Sequence, residues 1–290
     1  MWWEVVRKLL KHDSAGSRDG DAREMTGFVG RFPATHDWVW CPGRKLSAAY
    51  AAGELLWYLG GHHNGEQMIA YAPQYKRFLD DDGTAYGAYG GRIADFRQFQ
   101  YAHDLLVDQP RTRQAVISLW HPKDLNAALG RRHPDMPCTL SLQFLLRDGQ
   151  LDLHSTMRSN DAWLGLPYDG WCFSQMLKLM ASALNVEAGW IQHQVGSMHL
   201  YERNADKAQQ ACSSGPLDLE PRLEVPRTGD WDAANEMISW ALEIEKEIRT
   251  KGASRETLEL IQGYGAIGEW LRCIAVKFGA DPEILEERLR

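Results

Sequence analysis

Residues 139–155 read TLSLQFLLRDGQLDLHS, two alternating runs of β-formers that meet at Arg147-Asp148-Gly149-Gln150. Alternation with period two puts every second side chain on one face of a strand, and Asp-Gly tolerates the positive φ of a tight hairpin turn. A chain with such a hairpin must build much of its core on a sheet. Residues 111–121 (RTRQAVISLWH) are similarly rich in β-formers, and 189–201, with Trp190, Ile191, Val195 and Leu200, can return as a further strand. Helices are interspersed. From 45 to 59 the apolar positions Leu46, Tyr50, Ala51, Leu55, Tyr58 and Leu59 recur at helical spacing until Gly60-Gly61 stops them, and 170–183 is again helix-like. Long β segments mixed with helices indicate an α+β domain.

The termini add helices to this centre. Residues 1–12 read as a short amphipathic helix and 13–22 as a polar, Gly-rich loop. Residues 216–229 form a Pro-rich connector. Helices are expected over 231–250, with Trp231, Met237, Ile238, Trp240, Ala241, Ile244 and Ile248 on one face, and over 255–277, where Gly263, Gly265 and Gly268 weaken the middle. The division expected is 1–215 as a catalytic domain and 216–290 as a helical extension packed on it. With 290 residues, 44% hydrophobic, the chain is long enough for one large core plus such an extension.

Charge and composition narrow the function. A net charge of -7 argues against a nucleic-acid polymer as partner, because phosphate backbones are held by an excess of Lys and Arg. The five cysteines, at 41, 138, 172, 212 and 273, form no CxxC pair, which fits free thiols in a reducing cytoplasm. Charges interrupt the apolar start of the chain, and no run approaches the roughly 20 apolar residues of a membrane span. His62-His63 lack a supporting Cys or Glu cluster at ligand spacing, so they read as solvated loop histidines and no metal site is expected.

Six motifs stand in order between about Lys45 and Asn204: Glu54-Leu55-Leu56-Trp57-Tyr58-Leu59, Gly87-Ala88-Tyr89-Gly90, Pro110-Arg111-Thr112-Arg113, Pro137-Cys138, Arg158-Ser159 through Asp169, and His199-Leu200-Tyr201. Together they resemble the thymidylate synthase family. The resemblance implies a curved mixed β-sheet packed against helices, back-to-back homodimerisation, and two substrates, a pyrimidine nucleoside monophosphate and 5,10-methylenetetrahydrofolate.

Pyrimidine C5 is a poor nucleophile, so one-carbon transfer to it requires a thiolate to add first at C6. Cys138 is the candidate. Free cysteines are commonly just small buried residues, but the preceding proline and the motifs around this one set it apart. Glu54 matches the family's general acid/base. Arg158, Ser159 and Arg113 resemble its phosphate site, with Arg113 reaching in from the neighbouring subunit; Gln114 stands where the family has a second arginine there. A further phosphate arginine usually precedes Thr-Gly, where Met25 precedes Thr26-Gly27 here, and Arg23 or Arg31 can substitute, with Arg23 preferred. His199 and Tyr201 match the pair that holds the 3′-hydroxyl, Asp161 and Gly165 line base and folate, and Tyr89 matches a tyrosine near the thiol. Thr139 replaces the family's His and Met157 its Gln, so the water network beside the base must differ.

Asp169 stands where thymidylate-forming members have Asn. A carboxylate would repel O4 of uracil yet accept from the N4 amino group of cytosine and support protonation at N3 as the C6 adduct forms. Asp before Gly170 is also an ordinary turn residue, but the family reads the base at this position. Near the folate, Tyr75 and Phe78 fall close to two family tryptophans, and a charged helix ending Glu286-Glu287-Arg288-Leu289-Arg290 replaces a short apolar tail. Both departures favour water over hydride as the final acceptor, giving hydroxymethyl instead of methyl. The expected activity is 5-hydroxymethylation of dCMP or CMP, with retained Ser159 favouring dCMP. The rivals are dUMP methylation, disfavoured by Asp169, and an inactive nucleotide-binding relative, disfavoured by joint retention of Cys138, Glu54 and Arg158.

Overall fold

The structure is a computed structural model that describes residues 2–17, 19–35, 43–44, 46–130, 132–213 and 225–285. Its centre is a six-stranded sheet of β1 (Ser14–Ala15), β2 (Ala22–Pro33), β3 (Val116–Ser118), β4 (Thr139–Arg147), β5 (Gln150–Asp161) and β6 (Glu187–Tyr201), in the order β1-β2-β6-β5-β4-β3. The expected hairpin is β4–β5: Arg147 faces Gln150, and Asp148 and Gly149 have φ of 49° and 81°, the left-handed pair such a turn requires. All neighbours run antiparallel except β5 and β6. A parallel pair needs a long crossover, and helix α7 (Gly165–Ala183, numbered in chain order with those below) supplies it.

Around the sheet lie α1 (Trp2–Leu9), α2 (Ala48–Leu59), α3 (Glu66–Tyr71), α4 (Tyr89–Ala94), α5 (Gln98–Asp108), α6 (Lys123–Leu129), α8 (Ala205–Ser213), α9 (Trp231–Lys251), α10 (Arg255–Ile261) and α11 (Gly265–Lys277). This is the α+β architecture expected. Helix α2 starts where Ser47 accepts from the Tyr50 N–H, and it is buried almost all round between α7 and α11. Helix α1 is fixed by Trp2, which is fully buried and donates its indole N–H to Ala162 O at 2.7 Å. That bond ties helix α1 to the middle of the 158–169 motif. A buried ion pair joins Arg92 of α4 to Asp124 of α6 at 2.7 Å, and the Tyr86 hydroxyl and His121 N–H also donate to the carboxylate.

Several local expectations differ from the structure. The 13–22 loop contains the two-residue strand β1. Only Val116–Ser118 of 111–121 is strand, because the preceding Arg-Thr-Arg stretch turns outward with Arg111 and Arg113 exposed. The helix expected over 255–277 is two, α10 and α11, broken at 262–264, with Gly265 taking φ 51°. Helix α7 begins five residues before 170. The C-terminal residues 286–290, Cys41 and most of the 216–229 connector lie outside the described residues.

Among the described residues, no helix is long and apolar enough to cross a membrane. One face of the sheet packs on α7. Along the other, Val29 and Trp190 are exposed and Gln143, His154, Gln192 and Gln194 half-buried among the described residues.

Candidate active site

Cys138 sits immediately before β4, and the ladder with β5 is irregular between Thr139 and Ser141. Such a bulge turns a strand end out of the regular pleat, and here it leaves the sulfur half-buried at a cavity wall. Two groups fix the segment. The Tyr89 hydroxyl accepts from the buried Thr139 N–H at 3.1 Å. Arg158 donates to Pro137 O at 2.9 Å and Met136 O at 3.2 Å, while one of its N–H groups lies 3.5 Å from Cys138 Sγ. A guanidinium donor beside sulfur is the surrounding that favours the thiolate a nucleophile needs.

A cleft of about 380 Å³ is lined by Glu54, Tyr75, Phe78, Gly165, Tyr168 and Asp169, among others. Glu54 comes from the interior of α2 and Asp169 from the first turns of α7, so packing between two buried helices holds both carboxyls. Burial pushes Glu54 up to about 7, against hydrogen bonds from Tyr50 and Tyr58, and the Tyr50 hydroxyl lies 2.9 Å from Oε1. Burial also raises Asp169 well above the usual carboxylate range, the Glu54 charge adds to it, and the Asn160 amide works the other way. Tyr75 and Phe78, on a 3₁₀ turn at Pro73–Phe78, have ring centroids 5.4 Å apart and form an aromatic wall.

The C-terminal ends of β5 and β6 gather Ser159, Asp161, His199 and Tyr201. Ser159 Oγ is 3.4 Å from His199 Nδ1, Asp161 lies opposite His199 in the ladder, and the His199 and Tyr201 rings meet edge to face at 4.9 Å. Asp161 Oδ1 accepts from Trp163 N–H at 2.8 Å, and burial raises this carboxyl too. Two arginines stand apart. Arg113 is exposed ahead of β3, outside its own chain's cleft. Arg23 on β2 is engaged by Glu202 at 2.8 Å and Leu10 O at 2.6 Å.

The thymidylate synthase family model matches residues 2–245, ending inside α9. The chain belongs to the thymidylate synthase family. Among solved structures it is similar to the crystal structure of thymidylate synthase from T4 phage, with a TM-score of 0.69 and 21% identity over 84% of this chain and 91% of that one. As a family member the protein is a one-carbon transferase, and its substrates are a pyrimidine nucleotide and methylenetetrahydrofolate.

Within this thymidylate synthase fold, residues absent from the sequence reading complete the site. Asp135 lines a smaller cavity of about 90 Å³ together with Cys138, Tyr75 and Tyr89. Burial moves its carboxyl up to about 6, against the Gly87 N–H and the charges of Arg92 and Arg158. Its position three residues before Cys138 is a signal that sequence could have offered. Asn160 and His193 form a buried polar pair behind Asp169: the Asn160 amide lies 3.1 Å from His193 Nε2, and His193 Nδ1 is 2.8 Å from Ser155 Oγ. Burial lowers His193 to about 4, so it is neutral at physiological pH. Nothing in the chain's periodicity marks that pair, because it forms only when β5 and β6 pair in parallel.

Proposed function

We propose that this protein transfers a hydroxymethyl group to C5 of a cytosine mononucleotide, dCMP in preference to CMP, using methylenetetrahydrofolate and water. The observation that carries the reading is Asp169, which lines the same cleft as Glu54 with its carboxyl shifted toward the protonated form. A neutral carboxylic acid is complementary to cytosine: it donates O–H to N3 and accepts from the N4 amino group. Uracil has no N3 lone pair to take that proton, so the carboxylate–protonated-base pair that the C6 adduct favours has no uracil counterpart.

In this reading Cys138 adds to C6 while Asp169 holds the amino edge of the base. Negative charge then develops at C5, and the one-carbon unit joins there. Glu54, poised near neutrality, moves protons between the base and the folate nitrogen. Loss of the C5 proton and of tetrahydrofolate leaves an exocyclic methylene on the Cys138-bound base. Water adds to it and Cys138 leaves. Arg158, Ser159 and Arg23 are assigned to the phosphate, Arg23 after leaving Glu202. His199 and Tyr201 take the 3′-hydroxyl, Tyr89 stands near the thiol, and Tyr75, Phe78, Asp161 and Gly165 face the folate.

The proposed assembly is a homodimer through the open face of the sheet that carries Val29 and Trp190, with Arg113 serving the neighbouring subunit's phosphate site. Its exposure outside its own cleft supports that role. Incubating the protein with dCMP, CMP and dUMP in turn, each with methylenetetrahydrofolate, and weighing the products tests base, sugar and outcome together. The expected result is gain of one CH₂O unit on dCMP. A methyl gain, or turnover of dUMP alone, refutes it.

A further inference from the structure

We infer that Asp135 is the general base that takes the proton from the attacking water in the last step, an inference that rests on the hydroxymethylation reading above. Three carboxyls line the two adjoining cavities, and they are not equivalent. Glu54 and Asp169 line the large cleft, whereas Asp135 lines the small cavity against Cys138. Tyr75 belongs to the walls of both. After burial, both Asp135 and Glu54 push its hydroxyl upward in pKa, so Tyr75 lies near both carboxyls.

At about 90 Å³ the small cavity is suited to a few waters, each occupying about 30 Å³ of liquid, and is too small for a nucleotide or a folate. The carboxyl is fixed within it. Gly87 N–H donates to Asp135 Oδ2 at 3.1 Å, and a Cβ at position 87 would lie 2.5 Å from that oxygen. Only glycine permits this approach, so the carboxyl's place is built into the backbone. With its proton leaving at about pH 6, the group is ionised at neutral pH and basic enough to accept a proton.

The step balances. Water oxygen forms a bond to the exocyclic methylene carbon, and one water proton passes to the Asp135 carboxylate. The methylene π electrons move onto the ring, the C5–C6 double bond re-forms, and the C6–Sγ bond breaks to return the Cys138 thiolate. Nothing is oxidised or reduced, and Asp135 then loses its proton to solvent.

The test uses the full-length protein and the isosteric variant Asp135→Asn, with [5-³H]dCMP and methylenetetrahydrofolate. Tritium release reports the steps before water, and mass spectrometry reports hydroxymethyl product. The expected result is a fall in product of about 10²-fold or more, with tritium release falling far less. An added thiol, nucleophilic without a base, should capture the stalled methylene in the variant. In Asp135→Ala, formate should restore product by replacing the lost carboxylate. Equal losses of release and product in Asp135→Asn, or no response of Asp135→Ala to formate, overturn the inference while the parent reading stands. A methyl product from the unaltered protein overturns the parent reading itself.

Discussion

Tyr50 and Glu54 stand one turn apart on α2, and the Tyr50 hydroxyl donates to Glu54 Oε1 at 2.9 Å while the carboxyl is only 8% exposed. Burial wins over this bond and leaves Glu54 titrating at about 7, against 4.5 for the free group. The folded state therefore binds a proton more tightly than the unfolded one, so its stability falls as pH rises from about 4.5 to about 7. Glu54→Gln removes this dependence. Relative to the unaltered protein, the variant should gain about 2–3 kcal/mol between pH 4.5 and 8 while losing turnover, as urea unfolding across that range would read. A pH-independent difference between the two would contradict a raised Glu54.

The Tyr89 hydroxyl accepts from a buried backbone N–H beside Cys138, that of Thr139. Tyr89→Phe keeps the ring against Tyr58 but leaves that N–H unpaired, at a cost of about 1–3 kcal/mol. Because the residue left unpaired adjoins Cys138, kcat should fall roughly 10-fold or more with KM little changed. Steady-state kinetics on the preferred nucleotide checks it. An unchanged kcat would show that the bond does not position the sulfur.

Asp169→Asn tests base selection. An amide cannot pass a proton to N3 of cytosine as the C6 adduct forms, but it answers the N3–H and O4 of uracil. The ratio of kcat/KM for dCMP over dUMP should drop by roughly 10² or more. A ratio that stays fixed would place base reading elsewhere.

How much of this was legible beforehand depends on the range of the interactions involved. The β4–β5 hairpin, α2 and β6 were visible because period and turn chemistry are local. Strand β2 was not: Gly27, Gly30 and Pro33 interrupt it, and its place comes from eleven residues of pairing with β6, nearly 170 positions away. Cys138, Glu54, Arg158 and Asp169 could be named from motifs, and they lie around one pair of adjoining cavities. The titration behaviour of Glu54 could be anticipated from its apolar neighbours on α2. That of Asp135 could not, because its environment is made by Gly87, 48 residues earlier, and by Arg92 and Arg158.

Arg113 gives the sharpest test of assembly. It is exposed on its own chain and does not line the cleft that holds Glu54 and Asp169. If it serves the partner's phosphate site, Arg113→Ala and Cys138→Ala should each be nearly inactive, for different reasons and in different polypeptides. In a mixed dimer, one site combines an intact Cys138 with an intact Arg113 from the other protomer, and the second site lacks both. Random exchange makes about half the dimers mixed, so the mixture should recover about a quarter of the unaltered activity. Were Arg113 to act on its own chain's nucleotide, both sites of the mixed dimer would lack one group and mixing would recover nothing. Refolding the two variants together and assaying the mixture separates these outcomes, and sedimentation of the unaltered protein establishes independently that a dimer forms.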